Sequence, residues 1–166
     1  MSSTRSPGLR SAPSVLRLDP GYRNDDSLKD LMAIELSHLK PGLTGSAELL
    51  VGVEHTAPSI GSGVVPVLGT PVMINVIEAA ALAAVESLLP PGHQSLGIHL
   101  DVRHFAATPI GMRVRATAEL VGIDGRTLTF RVEARDNKEP IGDGSHQRVV
   151  VNVARFDERV KRKSGM

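Results

Sequence analysis

The chain contains no cysteine and no tryptophan, and its only aromatic rings are one tyrosine and three phenylalanines among 166 residues. Without cysteine there is no disulfide, no thiolate nucleophile and no thiolate-bound metal, a composition that fits a reducing compartment such as the cytoplasm. With so few rings, aliphatic side chains must fill the core, and a base-stacking surface is out of reach. Neither sign of charge is in excess. Lys and Arg number 19 against 18 Asp and Glu, so no basic field draws in nucleic acid. No apolar run reaches the roughly 18 uninterrupted residues of a membrane-spanning helix. What the chain does have is 41% hydrophobic residues in a length that suits one domain.

Residues 1–38 differ from the rest. The stretch MSSTRSPGLRSAPSVLRLDP is rich in Ser, Pro and Arg and has no acidic residue before Asp19. It reads as a disordered leader. An organellar import peptide has a similar Arg- and Ser-rich, acid-poor composition, but the prolines interrupt any amphipathic helix. The pattern DDSLKDLMAIELSHL (25–39) predicts a short helix with Leu28, Leu31, Met32 and Leu36 near one face. The domain proper is expected over 39–158, and residues 159–166 read as a basic, solvated tail.

Within the domain, LTGSAELLVGVEHT (43–56) predicts a strand with Ala47, Leu49, Val51 and Val53 on one face. A Gly/Pro/Ser-rich loop follows over 57–69. Thr70 is placed as the N-cap of a long helix and Pro71 at its first position, and Pro90-Pro91-Gly92 ends it. Strand patterns recur at 95–105, 113–123, 127–135 and 146–156, with Asp124-Gly125 marking a hairpin. One long helix followed by an antiparallel meander predicts an α+β domain in which a curved sheet wraps the helix. The helix is apolar nearly all round, so it must be covered on most sides. One sheet does not reach that far, and at least a dimer is expected.

Glu78 stands out because it lies in the middle of the most hydrophobic segment, TPVMINVIEAAALAAV. A carboxylate there needs a partner or a task. The partner would be Asn75 one turn earlier or an arginine from the sheet. The task would be that of a general base or nucleophile. His104 falls in phase with Leu96, Ile98, Leu100 and Val102, which turns it toward the helix, whereas His99 and Asp101 point away. That parity, with no HExxH pattern, argues against a metal. A helix N-terminus at Thr70 offers N–H groups to a developing oxyanion: those of Thr70, Val72 and Met73, since Pro71 has none. Arg148 is a candidate for an anionic substrate group, and both it and His146 also fit a surface position beside a Gly-rich turn. No GxSxG elbow, P-loop or GxGxxG motif occurs.

The ordered segments GTPVMINVIEAA, SLGIHLDVRHFAATPIGMRVRATAEL, DGRTLTFRVEARD and IGDGSHQRVVV resemble the fluoroacetyl-CoA thioesterase-like family of hot-dog-fold thioesterases. The resemblance covers about 40–158. It implies a hot-dog fold, a homodimer, and hydrolysis of an acyl-CoA thioester to a carboxylic acid and coenzyme A without cofactor. By position it implies catalytic roles for Thr70, Glu78 and His104 and substrate contacts for Gly97 and Arg148. The family's gating segment before the threonine carries an aromatic residue, whereas HTAPSIGSGVVPVLG has none.

The implied mechanism polarises the thioester carbonyl at Thr70, uses Glu78 as base or nucleophile, and lets His104 orient the nucleophile or pass a proton to the leaving thiolate. Thr70 and Glu78 are separated by about 12 Å along a helix axis. A dimer would bring Thr70 of one chain to Glu78 of the other. The competing readings are a non-catalytic acyl-CoA-binding module, a hot-dog hydratase or dehydratase, and a scaffold with no small ligand.

Overall fold

The computed structural model describes residues 35–165. Residues 25–34 of the predicted short helix lie outside them, and residues 35–39 form a turn rather than a helix. Leu36 and Leu39 from this turn are buried in the core, and the His38 ring meets the Leu88 carbonyl.

Five strands make one antiparallel sheet: β1 (Thr44–Leu50), β2 (His93–His104), β3 (Arg113–Asp124), β4 (Thr127–Arg135) and β5 (Pro140–Asn152). Their spatial order is β1-β3-β4-β5-β2. The expected four-strand meander is therefore only β3-β4-β5. β2 pairs with β5, so the chain must cross back from one edge of the sheet to start β3. The Asp124-Gly125 signal holds: Asp124 pairs with Thr127, and Gly125 takes φ 54° in the turn.

Helix α1 (Thr70–Val85) lies across the sheet, mainly against β1 and β3. Met73, Val76, Ile77, Ala80, Ala81, Ala84 and Val85 form its buried face. The alanines let the sheet approach closely. A Cβ on Gly45 would lie 2.3 Å from the Ala80 carbonyl oxygen, so β1 meets α1 backbone to backbone. Phe130, Leu120, Leu128, Ile141 and Val150 close the core from the sheet. As the low aromatic content requires, the core is aliphatic but for Phe130. By length and composition the 19-residue stretch Thr70–Leu88 is apolar enough to cross a membrane, yet this is the helix that the sheet packs against.

The sheet leaves one stripe of α1 uncovered. Pro71, Asn75, Ala79 and Ala83 are exposed, and Ile74, Glu78 and Leu82 are half-buried. Beside it, β2 forms an edge of the sheet, with Ile98 and Leu100 exposed along it and Phe105 just beyond its end.

Two strand boundaries differ from the sequence pattern. β1 ends at Leu50, and Val53–His55 is a short 3-10 turn closed by the Gly52 N–H donating to His55 Nδ1. Val53, expected inside, is 65% exposed. β5 begins at Pro140 and takes in Gly142 and Gly144, which read as turn glycines. They are strand residues where β2 crosses closely: a Cβ on Gly144 would lie 2.0 Å from the Asp101 carbonyl oxygen. β5 stops at Asn152, whose side chain accepts from the Arg155 N–H and caps helix α2 (Val153–Ser164). The stretch expected to be the end of a strand and a frayed tail is thus an exposed helix. Gly165 at φ 72° terminates it, and Lys161, Arg162 and Lys163 complement the dipole of its last turn.

Candidate active site

Two clusters hold the candidate residues, one at each end of β2's inner face. A bulge at Ile98 sets this up. Gly97 pairs with Arg148 and His99 with Gln147, leaving Ile98 unmatched. Before the bulge Ser95 and Gly97 face inward. After it the even-numbered residues do, so Val102 packs against the core and His104 reaches α1. The uniform face drawn through Leu96, Ile98 and Leu100 is broken by this extra residue, but the inward placement of His104 survives.

The first cluster is Thr70 with His104. Gly69, not Thr70, is the N-cap of α1, and no side chain caps the helix. Thr70 occupies the first helical position, and its Oγ1 shares a 2.8 Å hydrogen bond with His104 Nδ1. The Val72 and Met73 N–H groups, expected to serve an oxyanion, both donate to the Gly69 carbonyl at 3.0 and 3.2 Å. The Thr70 N–H has no backbone acceptor among the described residues. The Thr70 N–H is therefore the donor left here, its hydroxyl being engaged with His104. The His104 Nε2 is buried without a hydrogen-bond partner among the described residues. Burial pushes the His104 pKa below its ordinary value, and the nearby Ala106 backbone opposes this only in part. The ring is thus neutral near pH 7, able to accept at one nitrogen and donate at the other.

The second cluster surrounds Glu78. Its carboxylate lies 3.8 Å from Arg148 Nη1 and 3.8 Å from His146 Nε2, and its side chain is 35% exposed. The partner from the sheet is thus Arg148. Gly97 forms the floor. A Cβ there would sit 2.3 Å from Glu78 Oε1 and 3.1 Å from His146 Cε1. Arg148 is not on the surface. It is 4% exposed, with Nε donating to Ser95 Oγ at 2.8 Å and Nη2 to the Ser95 carbonyl at 2.7 Å. Ser95 Oγ in turn donates to Glu86 Oε2 at 2.6 Å. Glu86, Ser95 and His146 belong to this network and were not among the candidate site residues. Their signal in the sequence was weak, because their partners come from three different elements.

Within one chain the two clusters do not meet. Thr70 and His104 are joined, as are Glu78, Gly97 and Arg148, but the catalytic candidates are divided between the clusters. A cleft of about 840 Å³ lies elsewhere, on the outer face of the sheet among Ser46, Arg115, Thr117, Arg131 and Glu133. None of the candidates lines it. Among the described residues no group of three or more His, Cys, Asp or Glu side chains is placed to hold a metal ion.

Gly97 yields a sharp test. In Gly97→Ala the new methyl would strike only the mobile end of Glu78 and the edge of His146. Stability should change little, by about 1 kcal/mol or less, while turnover falls about tenfold because the carboxylate is displaced. Melting temperature and kcat measured on the same preparation check this. A large loss of stability with normal kcat would rule out the contact.

The family described as fluoroacetyl-CoA-specific thioesterase matches residues 51–154. The fluoroacetyl-CoA thioesterase of Streptantibioticus cattleyicolor is 41% identical over 98 residues, which are 59% of this chain and 70% of that protein. A variant of the fluoroacetyl-CoA-specific thioesterase FlK, solved in complex with fluoroacetate and CoA, superposes with a TM-score of 0.67 at 33% identity, covering 71% of this chain and 99% of that one. A hot-dog-like protein from Thermanaerovibrio acidaminovorans shares the fold, with a TM-score of 0.70 at 22% identity over 76% of this chain and 94% of the other.

Proposed function

The chain belongs to the fluoroacetyl-CoA-specific thioesterase family, and on that premise we propose that it hydrolyses an acyl-CoA thioester to a carboxylic acid and free coenzyme A at a site shared between two copies of the chain. The observation that carries this reading is the Thr70–His104 hydrogen bond at the start of α1, with Glu78 two turns further along the same helix.

The thioester carbonyl sits at the N-terminus of α1, where the Thr70 N–H stabilises the developing oxyanion, while the Thr70 hydroxyl donates to His104 Nδ1 and so leaves the ring's proton on Nε2. Glu78 of the partner subunit supplies the carboxylate. As a base it takes a proton from water, which adds to the carbonyl. As a nucleophile it forms an anhydride that water then opens. His104, neutral and with Nε2 unpaired, orients this carboxylate and relays to the departing thiolate the proton that the carboxylate takes from water. The uncovered stripe of α1 and the exposed edge of β2 support a homodimer, since a second copy would cover both. Gly97 and Arg148 act from beneath Glu78. The lack of cysteine supports the cytoplasm as the compartment. The segment before Thr70 presents Ile60, Val64 and Val65 to solvent instead of an aromatic ring. The acyl preference therefore need not be fluoroacetyl.

The test is a panel of acyl-CoA thioesters, from acetyl and fluoroacetyl to medium chains, with released thiol as the readout. Hydrolysis of at least one member above the buffer rate is expected. No turnover of any member by folded, dimeric protein would end the thioesterase reading. His104→Ala should lower kcat by about 10²-fold and lower melting temperature only modestly. If His104→Asn keeps full turnover while His104→Ala unfolds, the histidine is a core residue and nothing more.

A further inference from the structure

We propose that His146 is a positioning residue for Glu78: it accepts a hydrogen bond from Arg148 and so keeps that guanidinium from closing onto the carboxylate. The inference rests on the thioesterase reading above and adds a residue which that reading does not use.

His146 is fully buried, its ring stacked on Phe130 at 6.3 Å and 30°. Its Nδ1 lies 2.9 Å from the His99 carbonyl. A carbonyl only accepts, so Nδ1 carries the proton and the neutral ring presents a lone pair at Nε2. That nitrogen is 3.3 Å from Arg148 Nη1 and 3.8 Å from Glu78 Oε1. A protonated Nε2 would set two donors, and two cations, against each other. Burial is the main cause holding the ring's pKa below its ordinary value. The His99 carbonyl and Glu78 oppose that, and Arg148 reinforces it.

The consequence falls on Arg148. Ser95 takes its Nε and Nη2 at 2.8 and 2.7 Å, and His146 takes Nη1 at 3.3 Å. These contacts use Nε–H and one N–H of each Nη and hold the plane of the guanidinium, which stays 3.8 Å from Glu78 rather than forming the close two-pronged pair that Arg and carboxylate favour. Glu78 feels a neighbouring positive charge, but its lone pairs stay available to water or substrate. The bulge at Ile98 is part of the device. It offsets the register so that the inward-facing Gly97 is opposite Arg148 while the next pair begins at His99, whose carbonyl fixes the His146 tautomer. Without the Nε2 acceptor, Nη1 would turn to Glu78 and the carboxylate would be captured.

Two variants separate this role from packing. His146→Phe keeps a ring against Phe130 but has no acceptor, whereas His146→Gln restores an acceptor near the Nε2 position. His146→Phe should lose about tenfold or more in kcat with KM within about threefold, and His146→Gln should recover most of the loss. Equal activity in both variants, equal impairment of both, or an effect confined to KM overturns the proposal. The tautomer is read independently by ¹⁵N NMR of the histidine rings in the intact wild-type protein. Protonated Nδ1 with unprotonated Nε2 is expected for His146, and the reverse overturns the proposal whether or not His146→Phe folds. If wild-type protein hydrolyses no thioester, the functional reading fails by itself, and the NMR result still decides the His146–Arg148 contact.

Discussion

Glu78→Gln lowers kcat by about 10²-fold or more while the protein keeps its fold and its melting temperature changes little. The amide matches the carboxylate in size and keeps one acceptor, but it can neither take a proton nor attack a carbonyl, and loss of a general base costs turnover on that scale. The expectation for stability follows from the geometry. Glu78 is 35% exposed and stands 3.8 Å from both Arg148 and His146, too far for a direct hydrogen bond. Arg148 keeps its contacts to Ser95, and through Ser95 it remains coupled to Glu86. Steady-state thiol release and thermal melting, measured together, give the answer. A variant with near-normal kcat would leave Glu78 as a mere counter-charge for Arg148 and remove the base from the mechanism.

Two inactive variants, Thr70→Ala and Glu78→Gln, recover about a quarter of the wild-type sites when they are unfolded and refolded together. The ground for this is the separation of the clusters. Thr70 is bonded to His104 and Glu78 sits beside Arg148, two helical turns or about 12 Å further along α1. One substrate carbonyl cannot be served by both from the same chain. In the proposed two-fold dimer each site would take Thr70 from one copy and Glu78 from the other. A mixed dimer then has one site with both changes and one with neither. Random pairing makes half of the dimers mixed, so one site in four is intact. If both residues of a site came from one chain, every site would carry one change and nothing would return. Native mass spectrometry establishes that mixed dimers have formed. Mixed dimers without recovered turnover would refute the shared site and leave the thioesterase activity to the substrate panel.

The candidate site was legible to different depths at different residues. Glu78 was visible because a carboxylate inside an apolar helix departs from composition, a property of neighbours in sequence. His104 was visible because strands alternate, and on its own side of the bulge the alternation through Leu100 and Val102 is unbroken. Thr70 is legible at the start of the helix, where the sequence gives it a capping role beside the catalytic one that the resemblance implies. The structure gives that position to Gly69 and frees the threonine hydroxyl for His104. For Arg148 and His146 the sequence leaves a surface position open beside the substrate-binding role of Arg148, because a polar strand residue looks the same whether it faces water or a buried carboxylate. Gly142 and Gly144 read as turns for a similar reason: close approach of β2 and a tight turn both require the absence of a side chain.

By itself the sequence determined the five strands in outline, the long central helix, the hairpin at Asp124-Gly125, the aliphatic core and the α+β hot-dog architecture that these imply. Each of these follows from local periodicity, from turn chemistry, or from ordered motifs that resemble a family. Tertiary structure alone decided the place of β2 at the sheet edge beside β5, the bulge at Ile98 that lets Gly97 and His104 share an inner face, and the network that joins Glu86, Ser95, Arg148, His146 and Glu78. Strand order and register depend on which residues meet across the sheet, and burial of a polar side chain depends on partners dozens of positions away. Pairings at that range leave no periodic trace in a single chain, because the free energy that selects them arises only when the sheet closes on the helix.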